Sequence, residues 1–373
     1  MPIPSTTTDS VAYAHDPSRG AANLLSRCVG VNPGESLLLV TEPPGSRYYD
    51  EDVAPCIAEV ARRMGARVDV FEAGPVSGPG AMPTELLAAI AEVDHTIFLS
   101  RIGDQVRFAK LPGRGTKSMV YTLGLAHLAG GFAGARHDVM EEIRSGLMAR
   151  IAAAQRYTLI CPLGTHLEME VNGDELSGLR DASGFTVKNF PVMIIPPIPA
   201  SGLSGRLVLS HALTSTGIHH YEDSVIPLSS PVVLTLEGGR ICRLEGESAL
   251  VAKVKAHMDR IDRKFGGEGM KLGSWHSGIN PFTFFDGHAL DDIDRWNGVA
   301  FGSPRYCHFH MCGALPGDIC GQVFDPTIHF DSDALWQAGT LTALKVAPFA
   351  RLAARLGVPR GMLWARPDIG VRC

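Results

Sequence analysis

The chain has no CxxC pair, no long apolar run, no surplus of basic charge and no dinucleotide fingerprint, and each absence removes a class of function. Its eight cysteines (Cys28, Cys56, Cys161, Cys242, Cys307, Cys312, Cys320 and Cys373) are scattered through 373 residues, the pattern of free thiols in a reducing cytoplasm. Apolar stretches fall short of the roughly 18 residues that suggest a membrane span. Met1 to Gly20 is rich in Ser, Thr and Pro and lacks a basic start and an apolar h-region, so it reads as a loosely held arm and no secretory signal is expected. A net charge of −5 argues against nucleic acid, which needs clustered Lys and Arg; the nearest cluster, Arg136-His137, is followed at once by Glu141 and Glu142. Gly130-Gly131-Phe132-Ala133-Gly134 has the wrong spacing for a dinucleotide loop, and in Gly113 to Ser118 the lysine does not follow a glycine, so no nucleotide cofactor is expected. The absence of G-x-S-x-G argues against an α/β-hydrolase.

What is present is an ordinary soluble composition, 45% hydrophobic and 20% charged, in a chain long enough for two domains. The first 150 or so residues alternate strand and helix. Glu35 to Val40, Arg67 to Phe71, His95 to Ser100 and Ser118 to Thr122 are strand-like, with helical periodicity over Val53 to Met64 and Leu86 to Val93. This alternation predicts a parallel sheet covered by helices. Asp138-Val139-Met140-Glu141 fits a capping box opening a helix toward Ala154. Beyond it the strand-like runs (Tyr157 to Cys161, Glu168 to Val171, Leu207 to Leu209, Val232 to Leu236, Ile241 to Leu244) are separated by turns, with a hairpin at Glu237-Gly238-Gly239-Arg240. One long helix, Ser248 to Phe265, closes at Gly266-Gly267. The expected class is therefore α/β: an arm over residues 1–20, an α/β domain with a mostly parallel sheet over 21–155, and a mixed, mainly antiparallel α+β domain over 156–373.

Three segments carry possible chemistry. In Pro326 to Asp331 a strand would send Ile328 and Phe330 to the core and project His329 and Asp331 together on the other face. His276 lies just before the turn Gly278-Ile279-Asn280-Pro281. Two histidines and a carboxylate can hold one face of a ferrous ion and leave the other open, so His276, His329 and Asp331 are candidate Fe(2+) ligands; a polar strand face and a loop histidine are the plain alternatives. Cys307-His308-Phe309-His310-Met311-Cys312 matches no zinc-finger spacing, and alternation puts His308, His310 and Cys312 on one face. His308 or His310 could relay a proton beside the iron, and Arg305 could anchor a substrate oxygen. Arg101, Asp104, Gln105 and Arg107 follow the third strand, where open α/β sheets bind ligands.

From about residue 155 onward the chain resembles the thermophilic metallo-aminopeptidase family (aminopeptidase T). The resemblance is carried in order by Leu163-Gly164-Thr165, Phe190-Pro191 leading to Gly202, Gly239-Arg240-Ile241, Gly278-Ile279-Asn280-Pro281, Gly298 to Gly302 and His329-Phe330-Asp331. Two peptidase glutamates are missing: Ser274-Trp275 stands in place of one and Val192 to Pro196 in place of the other. Asn297 or Gly298 stands where a histidine would. A two-metal clamp cannot be built without them. With His276 gained, the pattern is similar to the 2,5-dihydroxypyridine 5,6-dioxygenases, an Fe(II) offshoot of that fold. The resemblance implies iron on His276, His329 and Asp331, ring cleavage of a hydroxylated pyridine by O2, a small aromatic N-heterocyclic substrate and a homo-oligomer. The competing expectation is a metallo-aminopeptidase with two divalent metals.

Overall fold

The computed structural model describes residues 16–171, 176, 186–217, 219, 221–314 and 317–371. Most of the expected N-terminal arm lies outside them, but its last residues are helical. In α1 (Pro17–Asn23) the Asp16 carboxylate caps the helix by accepting from Ser18 N at 2.9 Å. The N-terminal alternation is as expected. Strands β1 (Ser36–Thr41), β2 (Arg67–Glu72), β3 (His95–Leu99) and β4 (Thr116–Val120) are parallel, in the order β2-β1-β3-β4. Between them run α2 (Val53–Arg63), α3 (Thr84–Ala91) and the short α4 (Ile102–Gln105), followed by α5 (Leu125–Ala129), α6 (Gly131–Gly134) and α7 (His137–Ile151). The capping box does not form. The N-cap is Arg136, two residues earlier, so helix α7 begins at His137, and the Asp138 carboxylate binds the Arg136 guanidinium.

The second sheet is antiparallel and much larger. It contains β5 (Arg156–Ile160), β6 (His166–Glu170), β8 (Ile198–Pro199), β9 (Ser204–Ser215), β10 (Ile226–Glu237), β11 (Arg240–Glu245), β12 (Leu272–Ser277), β13 (Tyr306–Met311), β14 (Ile319–Phe324), β15 (Thr327–Phe330) and β16 (Asp333–Trp336). The hairpin pairs Glu237 with Arg240 as its Gly-Gly turn requires. Helix α8 (Ser248–Phe265) lays Leu250, Val254, Met258 and Ile261 inward and ends where Gly266 turns left-handed, at φ 73°. Helices α9 (Ile293–Ala300) and α10 (Phe349–Ala353) complete it. The two halves are interleaved: β7 (Lys188–Phe190) pairs with β4 in the first sheet, from beyond the expected boundary at 155. One buried core runs through both.

The large sheet curls on itself. Trp275 of β12 stacks on Phe330 of β15, ring centroids 6.3 Å apart, and Trp336 Nε1 donates to Gly278 O at 3.0 Å. The inside of the curl is aromatic and apolar. The outer face of β12, β13 and β14 looks toward the ends of the parallel strands. Among the described residues no helix is long and apolar enough to cross a membrane, and the described cysteines are all free thiols.

Candidate metal centre

Alternation along three paired strands builds the site. On β12, Trp275 faces the curl, so Ser274 and His276 face outward; on β13, Phe309 faces the curl, so His308 and His310 face outward. The register sets His276 opposite His308, Ser274 opposite His310, and on β14 Gln322 opposite His308 and Cys320 opposite His310. Thr214 of β9 lies opposite Cys320. All seven side chains are buried, a continuous polar patch on an otherwise apolar wall. Gly278 fixes the end of β12: a Cβ there would collide with the backbone of Gly302 and Ser303, so only glycine lets the chain turn just after His276.

The three imidazoles converge. Ring centroids lie 4.8 Å apart for His276–His308 and His276–His310 and 5.0 Å for His308–His310, and their candidate ligand nitrogens all fall within 4.8 Å of one another. Burial pushes His276 down to about 4, against its hydrogen bond from Nδ1 to Ile195 O at 3.0 Å. Burial, reinforced by the neighbouring rings and Arg107, holds His308 and His310 well below the usual histidine range. All three are therefore neutral at pH 7, the protonation state a metal ligand requires. His308 Nδ1, His310 Nδ1, Ser274 Oγ and Gln322 Oε1 are buried without a hydrogen-bond partner. Four orphaned polar atoms around three converging neutral rings cost free energy unless something in the site organises them. The donor set fits one borderline transition metal such as Fe(2+) or Zn(2+).

His308 and His310 also line a cleft of about 110 Å³ between the two halves. Its other wall comes from the loops after β1 and β3, where the strand order reverses and open sheets bind ligands. As expected, Arg101, Asp104, Gln105 and Arg107 stand there. Arg101 is held bidentately by Glu42, at 2.9 and 3.0 Å, and lies over the Tyr48 ring. Arg107 pairs with Asp104, which also accepts from Tyr121 OH at 2.5 Å. Opposite them, His219 places Nδ1 2.5 Å from the Asp318 carboxylate and stacks on Phe265 at 4.6 Å. Asp318 is buried, accepts from Ala314 N, and through its carbonyl from Tyr221 OH. Gly313, with φ 72°, leaves the room its carboxylate needs.

Of the expected ligands, only His276 is in this cluster. Phe330 stacks on Trp275 inside the curl, so the neighbours of these two residues, His329 and His276, leave the wall on opposite sides. Asp331, exposed and left-handed at φ 52°, accepts from Gln155 N at 2.9 Å and Arg156 N at 3.2 Å, a local turn contact. His308 and His310, expected as outer proton carriers, are in the cluster itself. Arg305, expected to anchor substrate, is committed to Asp325 at 2.8 and 3.0 Å and to Pro367 O. His219, Asp318, Ser274 and Gln322 were not picked out by motif; the alternation of β12 to β14 is the signal that reaches the last two.

No protein-family profile matches the chain, and no curated protein matches it in sequence. Solved structures do match in fold. A 2,5-dihydroxypyridine dioxygenase from Pseudomonas putida KT2440 aligns at 14% identity over 89% of this chain and 97% of its own, with a TM-score of 0.56. Wild-type AmpT from Thermus thermophilus aligns at 12% identity over 87% and 98%, with a TM-score of 0.49. The chain shares the fold of the dioxygenase structure.

Proposed function

We propose that this protein is a mononuclear metal oxygenase and, within that class, an Fe(II) ring-cleaving dioxygenase of hydroxylated pyridines, converting 2,5-dihydroxypyridine and O2 to N-formylmaleamic acid. The observation that carries the reading is the convergence of three neutral histidines, two of which, His308 and His310, line the cleft between the two halves. His276, His308 and His310 would hold the ion. A ferrous ion there would supply the electrons that allow triplet oxygen to react with a closed-shell ring.

The chain's own residues supply the rest. Three neutral donors bring no negative charge, so the site favours a substrate whose ring hydroxyl gives up its proton on binding. His219, which lines the cleft, would take that proton at Nε2, with Asp318 holding the hydrogen on Nδ1 and stabilising the imidazolium that forms. Phe301, edge-on to both His308 and Tyr121, closes the cleft with an apolar face beside the ring.

The test is anaerobic loading with Fe(II), addition of 2,5-dihydroxypyridine, then admission of oxygen. One iron per chain and stoichiometric oxygen uptake are expected. A folded, iron-loaded sample that consumes no oxygen with this or related hydroxypyridines sinks the reading. Two divalent metals per chain and release of an N-terminal residue from a peptide would establish the aminopeptidase instead. Against that outcome, the three-histidine group contains no carboxylate with which to bridge two ions.

A further inference from the structure

We infer that Gln322 and Ser274 are positioning residues for the metal centre: each accepts the Nδ1–H of the histidine opposite it, His308 and His310 respectively, and so turns that ring's Nε2 toward the cleft. The inference rests on the reading of the three histidines as a metal site.

The argument begins with which atoms lack partners. In both rings the buried, unpartnered nitrogen is Nδ1. Two of the other buried side-chain atoms without a partner are Gln322 Oε1 and Ser274 Oγ, both able to accept. The ladder places the four residues that carry these atoms in two facing pairs, Gln322 opposite His308 and Ser274 opposite His310. Directly opposed residues on adjacent antiparallel strands have Cβ atoms about 5 Å apart, within reach of a side-chain hydrogen bond. Four buried orphans that fall into two donor–acceptor pairs by register are better explained by two bonds than by four separate losses.

The orientation of the amide agrees. Gln322 Nε2 is the engaged end, donating to Thr214 Oγ1 at 3.3 Å, and Oε1 is the end left without a partner. His276 already shows the same arrangement in finished form, with Nδ1 on the Ile195 carbonyl. A metal-binding histidine ordinarily donates its second N–H to a carboxylate, a carbonyl or water, which fixes the tautomer and aims the ring. Here all three partners would be neutral: a backbone carbonyl, a side-chain amide and a hydroxyl. Neutral partners orient the rings while raising their basicity less than a carboxylate would, so a bound ion keeps more of its charge for the substrate.

Full-length protein titrated with Co(2+) alone, read by its visible d–d absorption, tests this. Gln322→Leu is expected to weaken Co(2+) binding about 10- to 100-fold, and Ser274→Ala to weaken it by less. Gln322→Glu, which keeps an acceptor in place, should bind at least as tightly as wild type. Gln322→Asn, too short to reach, should weaken binding without placing an apolar group in the patch, so the test survives if the leucine variant misfolds. In zinc-loaded protein, proton NMR should show slowly exchanging imidazole N–H resonances, one of which shifts or disappears in Gln322→Asn. Co(2+) affinity within twofold of wild type in the Leu, Asn and Ala variants, with the N–H resonances unmoved, overturns the inference while leaving the metal site standing. Failure of the wild type to take up Co(2+) overturns the metal reading and this one together.

Discussion

Strands β13 and β15 each carry two polar residues at a two-residue spacing, His308 and His310 on the first, His329 along and Asp331 just past the second. Both pairs alternate with large apolar residues that pack into the same curl, Phe309 and Phe330. They differ in their neighbours. Beside His308 and His310 the adjoining strands contribute His276, Ser274, Gln322 and Cys320 in register. Beside His329 lie Thr158 and Ala334, and Asp331 spends its carboxylate on the backbone of Gln155 and Arg156. A two-residue spacing sets direction, but a metal centre needs a third donor from the next strand at the same level. The largest expected effect follows. Single substitution of His276, His308 or His310 by alanine should lower Co(2+) or Fe(2+) affinity at least 100-fold, and His329→Ala should leave it within twofold of wild type. Loss of metal from His329→Ala, measured by anaerobic metal analysis of folded protein, would reverse the comparison.

Burial alone does not distinguish the cluster, because His127, His137 and His257 are also buried and pushed down to about 4. These solitary rings give the comparison a baseline in pH. For His137, burial is the main cause and Glu141 opposes it. Its folded pKa lies below its unfolded value of about 6.5, so between pH 6.5 and 4 the unfolded state binds more protons. Stability is then fully present above pH 6.5 and falls as pH drops through that window. Each such group adds a slope of about 1.4 kcal/mol per pH unit. Denaturant unfolding of metal-free protein between pH 7 and 4.5 should show that loss, and His137→Gln should reduce the slope by about one group's share. A pH-independent midpoint across the window would show that these rings are accessible to protons in the folded state.

Much of this was legible in the sequence. The alternating apolar runs of the first 150 residues gave the parallel sheet, because buried parallel strands are locally unambiguous. The long helix ending at Gly266 and the Gly-Gly hairpin announced themselves through local backbone chemistry. His276 was singled out through the turn at Gly278. Its partners His308 and His310 were expected beside the iron as proton carriers and not as ligands, because His-x-Asp is a pattern in one strand whereas the cluster is a pattern across strands. Nothing local pairs Ser274 with His310 or His308 with Gln322; those neighbours are set by strands that meet only when the sheet forms. His219 and Asp318 are joined by a contact between residues 99 apart, and no spacing rule reaches it. The capping box failed for a local reason, since Arg136 competes for the Asp138 carboxylate more strongly than the backbone amides do.

The smallest effect concerns Asp331, and it sharpens the comparison from the other side. If the carboxylate is a turn device, removing it should cost stability and leave metal alone. Asp331→Ala loses two charge-assisted hydrogen bonds to backbone amides and puts a Cβ-bearing residue with no local hydrogen bond at φ 52°. The site is exposed, so water recovers part of the loss and the expected cost is about 1 kcal/mol. Asp331→Asn keeps an acceptor and a side chain tolerant of the left-handed region, so its cost should be smaller still. Thermal unfolding of the two variants should rank them below wild type with alanine lowest, at unchanged Co(2+) affinity. A carboxylate that bound metal would give a different ordering: asparagine and alanine would both lose affinity, and asparagine would do so with little loss of stability.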